Sequence, residues 1–176
     1  MNLANKLTLL RVALVVPFMA LLLIREIPHH LLWALVVFSV ASLTDFVDGY
    51  FARKRNEVTD FGKFLDPLAD KVLVAAALIG FVSLGLASPV AVILVMFREF
   101  MVSAVRLTAA GGGKVIAASV WGKLKTATQL VSILLILGMQ ELLTLGWVSN
   151  GALCAGIGHG LVWLGTLFTL ISGAQY

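Results

Sequence analysis

The sequence predicts an all-α integral membrane protein: a bundle of six transmembrane helices with its candidate active site at the cytoplasmic face. Three observations predict it. The 176 residues are 60% hydrophobic and 12% charged, with a mean hydropathy of +1.02, whereas soluble domains carry about a quarter charged residues. Six apolar runs, near 7–25, 31–52, 63–85, 88–110, 120–140 and 150–172, approach the ~20 residues that a span requires. The basic residues are one-sided. An even number of spans puts both termini on one side, and Lys6, Arg11, Arg53, Lys54, Arg55, Lys63, Lys71, Arg106, Lys114, Lys123 and Lys125 fall on or near that side. Arg25 alone falls on the other, and Arg98 lies within a span. This bias places the termini in the cytoplasm. The net charge of +4 therefore reads as topology rather than as a nucleic-acid surface. No internal repeat or low-complexity segment divides the chain, so 1–176 is expected to be one domain. A single cysteine, Cys154, excludes an internal disulfide and reads as a packing residue.

The first run carries Asn5, Thr8 and Arg11 at i, i+3 and i+6, one broad polar face. Arg11 interrupts the apolar run and no cleavage site follows, so the segment reads as a retained helix, not a signal peptide. An arginine this deep is costly unless paired or near water. Arg25, Glu26, His29 and His30 form an outer loop broken by Pro28, and the two histidines read as solvated.

The second run ends in the stretch Asp45 to Asp70, which holds six of the nine acidic residues. Asp45, Asp48, Gly49 and Ala52 share one helical face, at offsets 0, 3, 4 and 7. Gly62, Asp66, Ala69 and Asp70 share another, at offsets 0, 4, 7 and 8. Four carboxylates brought together would repel one another unless cations neutralised them. Hard divalent ions such as Mg²⁺ or Mn²⁺ take such oxygen ligands and keep positions for phosphates. A solvated charged loop is the plainer reading. Asp66-Pro67 allows two local structures: a helix capped by Asp66, or one begun near Gly62 and kinked by Pro67.

After a short outer turn, Gly85 to Pro89, the fourth run carries Arg98, Glu99 and Arg106. Charges inside a span mark a cavity or a partner, and an internal Arg98–Glu99 pair is the alternative. A glycine-rich linker ending in Lys114 leads to Lys123, Lys125, Thr126 and Thr128 at the start of the fifth run. The sixth begins near Asn150, and its His159 reads as a packing or interface residue.

The pattern Asp45-x2-Asp48-Gly49-x2-Ala52-Arg53-x8-Gly62-x3-Asp66-x3-Asp70 resembles the signature of the CDP-alcohol phosphatidyltransferase family at every fixed position. The resemblance covers essentially the whole chain. Its Asn5-x2-Thr8-x2-Arg11 start, its Arg98-Glu99 pair followed by Arg106, and its Gly122-Lys123-Leu124-Lys125-Thr126 segment are similar to the branch that uses glycerol 3-phosphate. The resemblance implies transfer of a phosphatidyl group from CDP-diacylglycerol to sn-glycerol 3-phosphate, giving phosphatidylglycerophosphate and CMP. It implies two Mg²⁺ or Mn²⁺ ions on Asp45, Asp48, Asp66 and Asp70, with Asp70 also the base. The CDP-lipid would be held by Asn5, Thr8, Arg11, Asp48, Gly49, Ala52, Arg53 and Gly62. The acceptor phosphate would be held by Arg98, Arg106, Lys123, Lys125 and Thr126, types suited to phosphate. It further implies a homodimer in the inner membrane of a bacterium, in contact with membrane lipid. Leu107 departs from the branch, which carries an acid after the arginine, and this leaves Arg106's partner open. The same chemistry with another acceptor, such as inositol phosphate, is the nearest rival. An intramembrane prenyltransferase is another, but it gives no reason for the Gly49, Ala52, Arg53 and Gly62 spacing, and a divalent-cation transporter is a third, though the inverted repeats common in transporters are not visible in the sequence.

Overall fold

The computed structural model describes residues 3–55, 60–111 and 120–174, with side chains described for 7–44, 68–69, 71–109, 111 and 120–174. These residues form six helices and no strand: α1 Leu3–Leu23, α2 His30–Arg55, α3 Asp60–Ser83, α4 Pro89–Gly111, α5 Val120–Thr144 and α6 Gly151–Gly173. Each expected run is a helix, and several helices outrun their apolar segments. α3 begins at Asp60, so Asp66 is not its cap. Pro67 lies inside the helix, where it leaves the Lys63 carbonyl without its usual donor.

Three tight turns lie at one end of the bundle, joining α1 to α2, α3 to α4 and α5 to α6. Two are built alike. Gly85 (φ 73°) follows α3 and Gly146 (φ 75°) follows α5, both in the left-handed region. Leu86 N–H donates to the Phe81 carbonyl and Gly85 N–H to that of Val82; Trp147 and Gly146 repeat this with Leu142 and Leu143. This is the Schellman pattern, which satisfies the last helical carbonyls. Asn150 caps α6, its side chain accepting from Leu153 N–H at 3.0 Å.

The histidines at this end are accessible to solvent, as expected for His29 and His30, yet each also makes a hydrogen bond. His29 Nδ1 lies 2.7 Å from Oε1 of the buried Glu141, and His30 Nδ1 donates to the Leu21 carbonyl. His159 Nε2 donates to the Gly85 carbonyl, and Cys154 is a buried free thiol.

α1 is the wedge of the fold. It packs against both α2 and α3, which touch each other little among the described residues. Phe18 packs against Phe38 in a tilted pair, with ring centroids 5.5 Å apart and planes at 49°. Leu22 presses on Gly80 so closely that a Cβ there would lie 2.2 Å from its Cδ2. On the far side α6 packs between α4 and α5, and α5 reaches back to α2.

Beside its apolar core the bundle buries a polar set and exposes much apolar surface. Thr8, Arg11, Arg98, Lys125, Gln129, Thr166, Thr169 and Ser172 are buried, while Val16, Ile93, Phe97, Phe100, Leu107 and Leu135 are exposed. An apolar exterior this extensive requires a partner phase. α5 and α6 are each long and apolar enough to cross a membrane.

Candidate functional site

The buried stripe of each of the first three helices runs into a polar segment at the end opposite the turns. On α2, Leu31, Ala34, Phe38 and Ala41 are buried, in alternating steps of three and four residues. The same steps continue through Asp45, Asp48 and Ala52. On α3 the buried Ala77, Leu73 and Ala69 lead back to Asp66 and Gly62, with Asp70 adjoining. On α1 the stripe of Leu22 and Phe18 ends in Arg11 and Thr8, 1% and 0% exposed.

Helix register sets the level of these positions. Seven residues from Phe18 towards this end is Arg11, and seven from its partner Phe38 is Asp45. Ten residues give Thr8 and Asp48. Counting from the Leu22–Gly80 contact, eleven residues give Arg11 and Ala69, next to Asp70, and fourteen give Thr8 and Asp66. An α-helix rises about 1.5 Å per residue, and because the counts on α1 pass Pro17 and the count to Asp66 passes Pro67, the levels match to about one turn. The four aspartate positions are therefore level with the two buried polar residues of the wedge. The side chains of Asn5, Asp45, Asp48, Gly49, Ala52, Arg53, Gly62, Asp66 and Asp70 lie outside the described ones, and their roles rest on this placement of the backbone. The four aspartate positions thus lie on α2 and α3 at the same end of the bundle.

A second cluster adjoins the first, formed by α3, α4, α5 and α6. Glu99 bridges two cations with one oxygen: its Oε1 accepts from Arg98 Nη1 at 2.9 Å and from Lys125 Nζ at 2.5 Å. Of the two readings open for Arg98 and Glu99, the pair itself forms, and Lys125 joins it. Lys71, which directly follows Asp70, donates to the Ser103 hydroxyl, which in turn donates to the Glu99 carbonyl at 2.6 Å. That bond ties α3 at Lys71 to α4 one turn from Glu99. Lys71, Glu99, Lys125, Thr126 and Gln129 line a cavity of about 30 Å³, room on the scale of about one water.

The acceptor residues expected from sequence are not all gathered. Arg98 and Lys125 are buried, Arg106 is half-buried two turns beyond Glu99, and Thr126 uses its hydroxyl on the Gly122 carbonyl. Lys123 is exposed. Two residues apart on a helix, Lys123 and Lys125 diverge by roughly 200°, so only Lys125 enters the cluster. Sequence reasoning missed Ser103, Gln129, Ser172 and Thr169. A signal existed for the last two, because Thr166, Thr169 and Ser172 recur every third residue on α6, and all three are buried. Gln129 donates to Thr169 Oγ1 at 3.0 Å.

Comparison with known proteins bears on this arrangement. A family model described as CDP-alcohol phosphatidyltransferase matches residues 1–171. A Bacillus subtilis (strain 168) protein named CDP-diacylglycerol–glycerol-3-phosphate 3-phosphatidyltransferase is 42% identical over 189 residues, covering 99% of this chain and 93% of that protein. Proteins of the same name from Rickettsia bellii (strain RML369-C) and Shigella flexneri serotype 5b (strain 8401) are 35% and 36% identical. Each covers 99% of this chain, with 93% and 92% of their own lengths matched.

Proposed function

The chain belongs to the CDP-alcohol phosphatidyltransferase family, and from that premise we propose how this chain carries out the reaction. It transfers a phosphatidyl group from CDP-diacylglycerol to sn-glycerol 3-phosphate, releasing phosphatidylglycerophosphate and CMP. The observation that carries the mechanism is the register: the aspartate positions of α2 and α3 are level to about one turn with buried Thr8 and Arg11, and Lys71 ties α3 to α4 one turn from Glu99.

Asp45, Asp48, Asp66 and Asp70 would hold two divalent cations, Mg²⁺ or Mn²⁺. Bound there, they would neutralise the diphosphate and the charge on departing CMP. Asn5, Thr8 and Arg11 on α1, with Gly49, Ala52, Arg53 and Gly62, hold the CDP-lipid. The small residues let the nucleotide approach the backbone. Asp70 takes the proton from the acceptor hydroxyl. The hydroxyl oxygen bonds to the β-phosphorus, the phosphoanhydride bond breaks, and its electron pair leaves with CMP. Arg98, Lys125 and Arg106, with Lys123 and Thr126 at the rim, orient the acceptor phosphate. Orientation and electrostatics supply most of the catalysis in phosphoryl transfer.

Six spans with both termini and the site in the cytoplasm are supported by helix lengths of 21 to 26 residues, each reaching the ~30 Å of a bilayer core. The basic bias supports the orientation. Contact with membrane lipid and a homodimer belong to the same reading, and for the dimer the family resemblance is the support. The test is CMP release by purified protein given both substrates. Chelation should abolish release and added Mg²⁺ or Mn²⁺ should restore it. Asp70→Asn should cost at least ~10²-fold in kcat. Full turnover of Asp70→Asn would remove its assignment as the base.

A further inference from the structure

Arg98 is gripped from the far end of the chain. Its Nη2 donates to Ser172 Oγ at 2.6 Å, and Ser172 is fully buried. The next residue, Gly173, lies against the same side chain. A Cβ there would come within 2.9 Å of Arg98 Cγ and 3.3 Å of its Nε. Cγ sits near the root of the arginine, so it cannot swing aside as a side-chain tip can. The other arm of the guanidinium, Nη1, is fixed by Glu99 at 2.9 Å. One turn earlier on α6, Thr169 accepts from Gln129, which lies one turn from Lys125 on α5. The last turn of α6 is thereby fastened beside both buried cations of the cluster.

We propose that Ser172 and Gly173 are positioning residues for the acceptor phosphate. They set the guanidinium of Arg98 from one side while Glu99 sets it from the other. This rests on the reading of Arg98 as an acceptor-phosphate residue. A planar guanidinium recognises phosphate through paired parallel hydrogen bonds, so its angle matters as much as its charge. Ser172 supplies that angle by accepting one hydrogen bond, and Gly173 supplies it by leaving room.

The experiment is steady-state kinetics of the full chain in mixed micelles, varying each substrate separately, for Ser172→Ala, Ser172→Thr, Gly173→Ala and Arg98→Lys. Ser172→Ala and Gly173→Ala should raise KM for glycerol 3-phosphate about five- to tenfold, because hydrogen bonds to charged groups are among the stronger ones. KM for CDP-diacylglycerol should stay within about twofold of the unmodified protein, and Ser172→Thr, which keeps the hydroxyl, should recover most of the loss. If Arg98→Lys raises the acceptor KM but neither α6 variant does, the positioning role is wrong and the acceptor site stands. If Arg98→Lys leaves the acceptor KM unchanged, the reading of Arg98 fails and this inference falls with it. Equal rises in both KM values, with a lowered melting temperature, would assign the α6 contacts to stability alone and overturn the proposal. Gly173→Ala keeps the test decisive should Ser172→Thr fail to fold.

Discussion

Lys123 and Lys125 are two residues apart, yet one is exposed and the other is buried against Glu99. Lys125→Ala should therefore raise KM for glycerol 3-phosphate and also cost about 1.5–3 kcal/mol of stability, the usual worth of a hydrogen bond to a charged group. Lys123→Ala should leave the melting temperature unchanged and alter the acceptor KM far less. Thermal melts and kinetics on the two variants check both halves. The lysine pair was legible as a basic cluster, but helical spacing alone sends its members in different directions, and only packing shows which one is inside. The aspartates were more legible. Their i, i+3 and i, i+4 steps name a face without any tertiary information. The role of Ser103 was not legible, because a lone serine in an apolar helix looks the same whether it bonds its own backbone or a distant side chain, whereas Ser172 belongs to a three-residue polar stripe whose partner only packing reveals.

Each helix was visible as an apolar run, with α4 and α6 bounded to within one residue, while α1, α2, α3 and α5 each run several residues past one expected end. The α3 start shows why: hydropathy begins near Lys63, while the helix begins at Asp60 and carries Pro67 inside it. Charged residues can extend a helix beyond the apolar part without changing the composition that flags it. The wedge position of α1 was also hidden, since nothing local tells α1 to pack between α2 and α3. Leu22 packs tightly on Gly80, and the register of α1 against α3 is counted from that contact. Gly80→Val should separate α1 from α3. It should destabilise the protein by about 1–3 kcal/mol, as overpacking usually does, and lower turnover although Gly80 is far from the chemistry. Gly85→Ala is the control. No neighbour lies within 4 Å of a Cβ there, so it should cost only the ~1–2 kcal/mol of left-handed backbone and spare catalysis once folded. Melting curves and CMP-release rates on the two variants separate these effects.

At the scale of the molecule, the fold joins an apolar core to a buried charged cluster around Arg98, Glu99 and Lys125, under an exterior rich in exposed apolar side chains. Composition made the apolar exterior legible, and the eleven-to-one basic bias predicts an orientation with both termini in the cytoplasm. A protease-cleavable tag at the C-terminus should be cut in inverted vesicles and protected in right-side-out ones; the reverse pattern would move the site to the other face. The central claim is that two clusters, one for a CDP-lipid and one for a phosphorylated acceptor, meet at the end of the bundle opposite the tight turns. The most direct test is CMP release by purified protein with CDP-diacylglycerol and Mg²⁺, offered glycerol 3-phosphate, inositol phosphate or no acceptor. Release that requires glycerol 3-phosphate is the result expected. Release that proceeds equally with inositol phosphate, or with no acceptor at all, would contradict it.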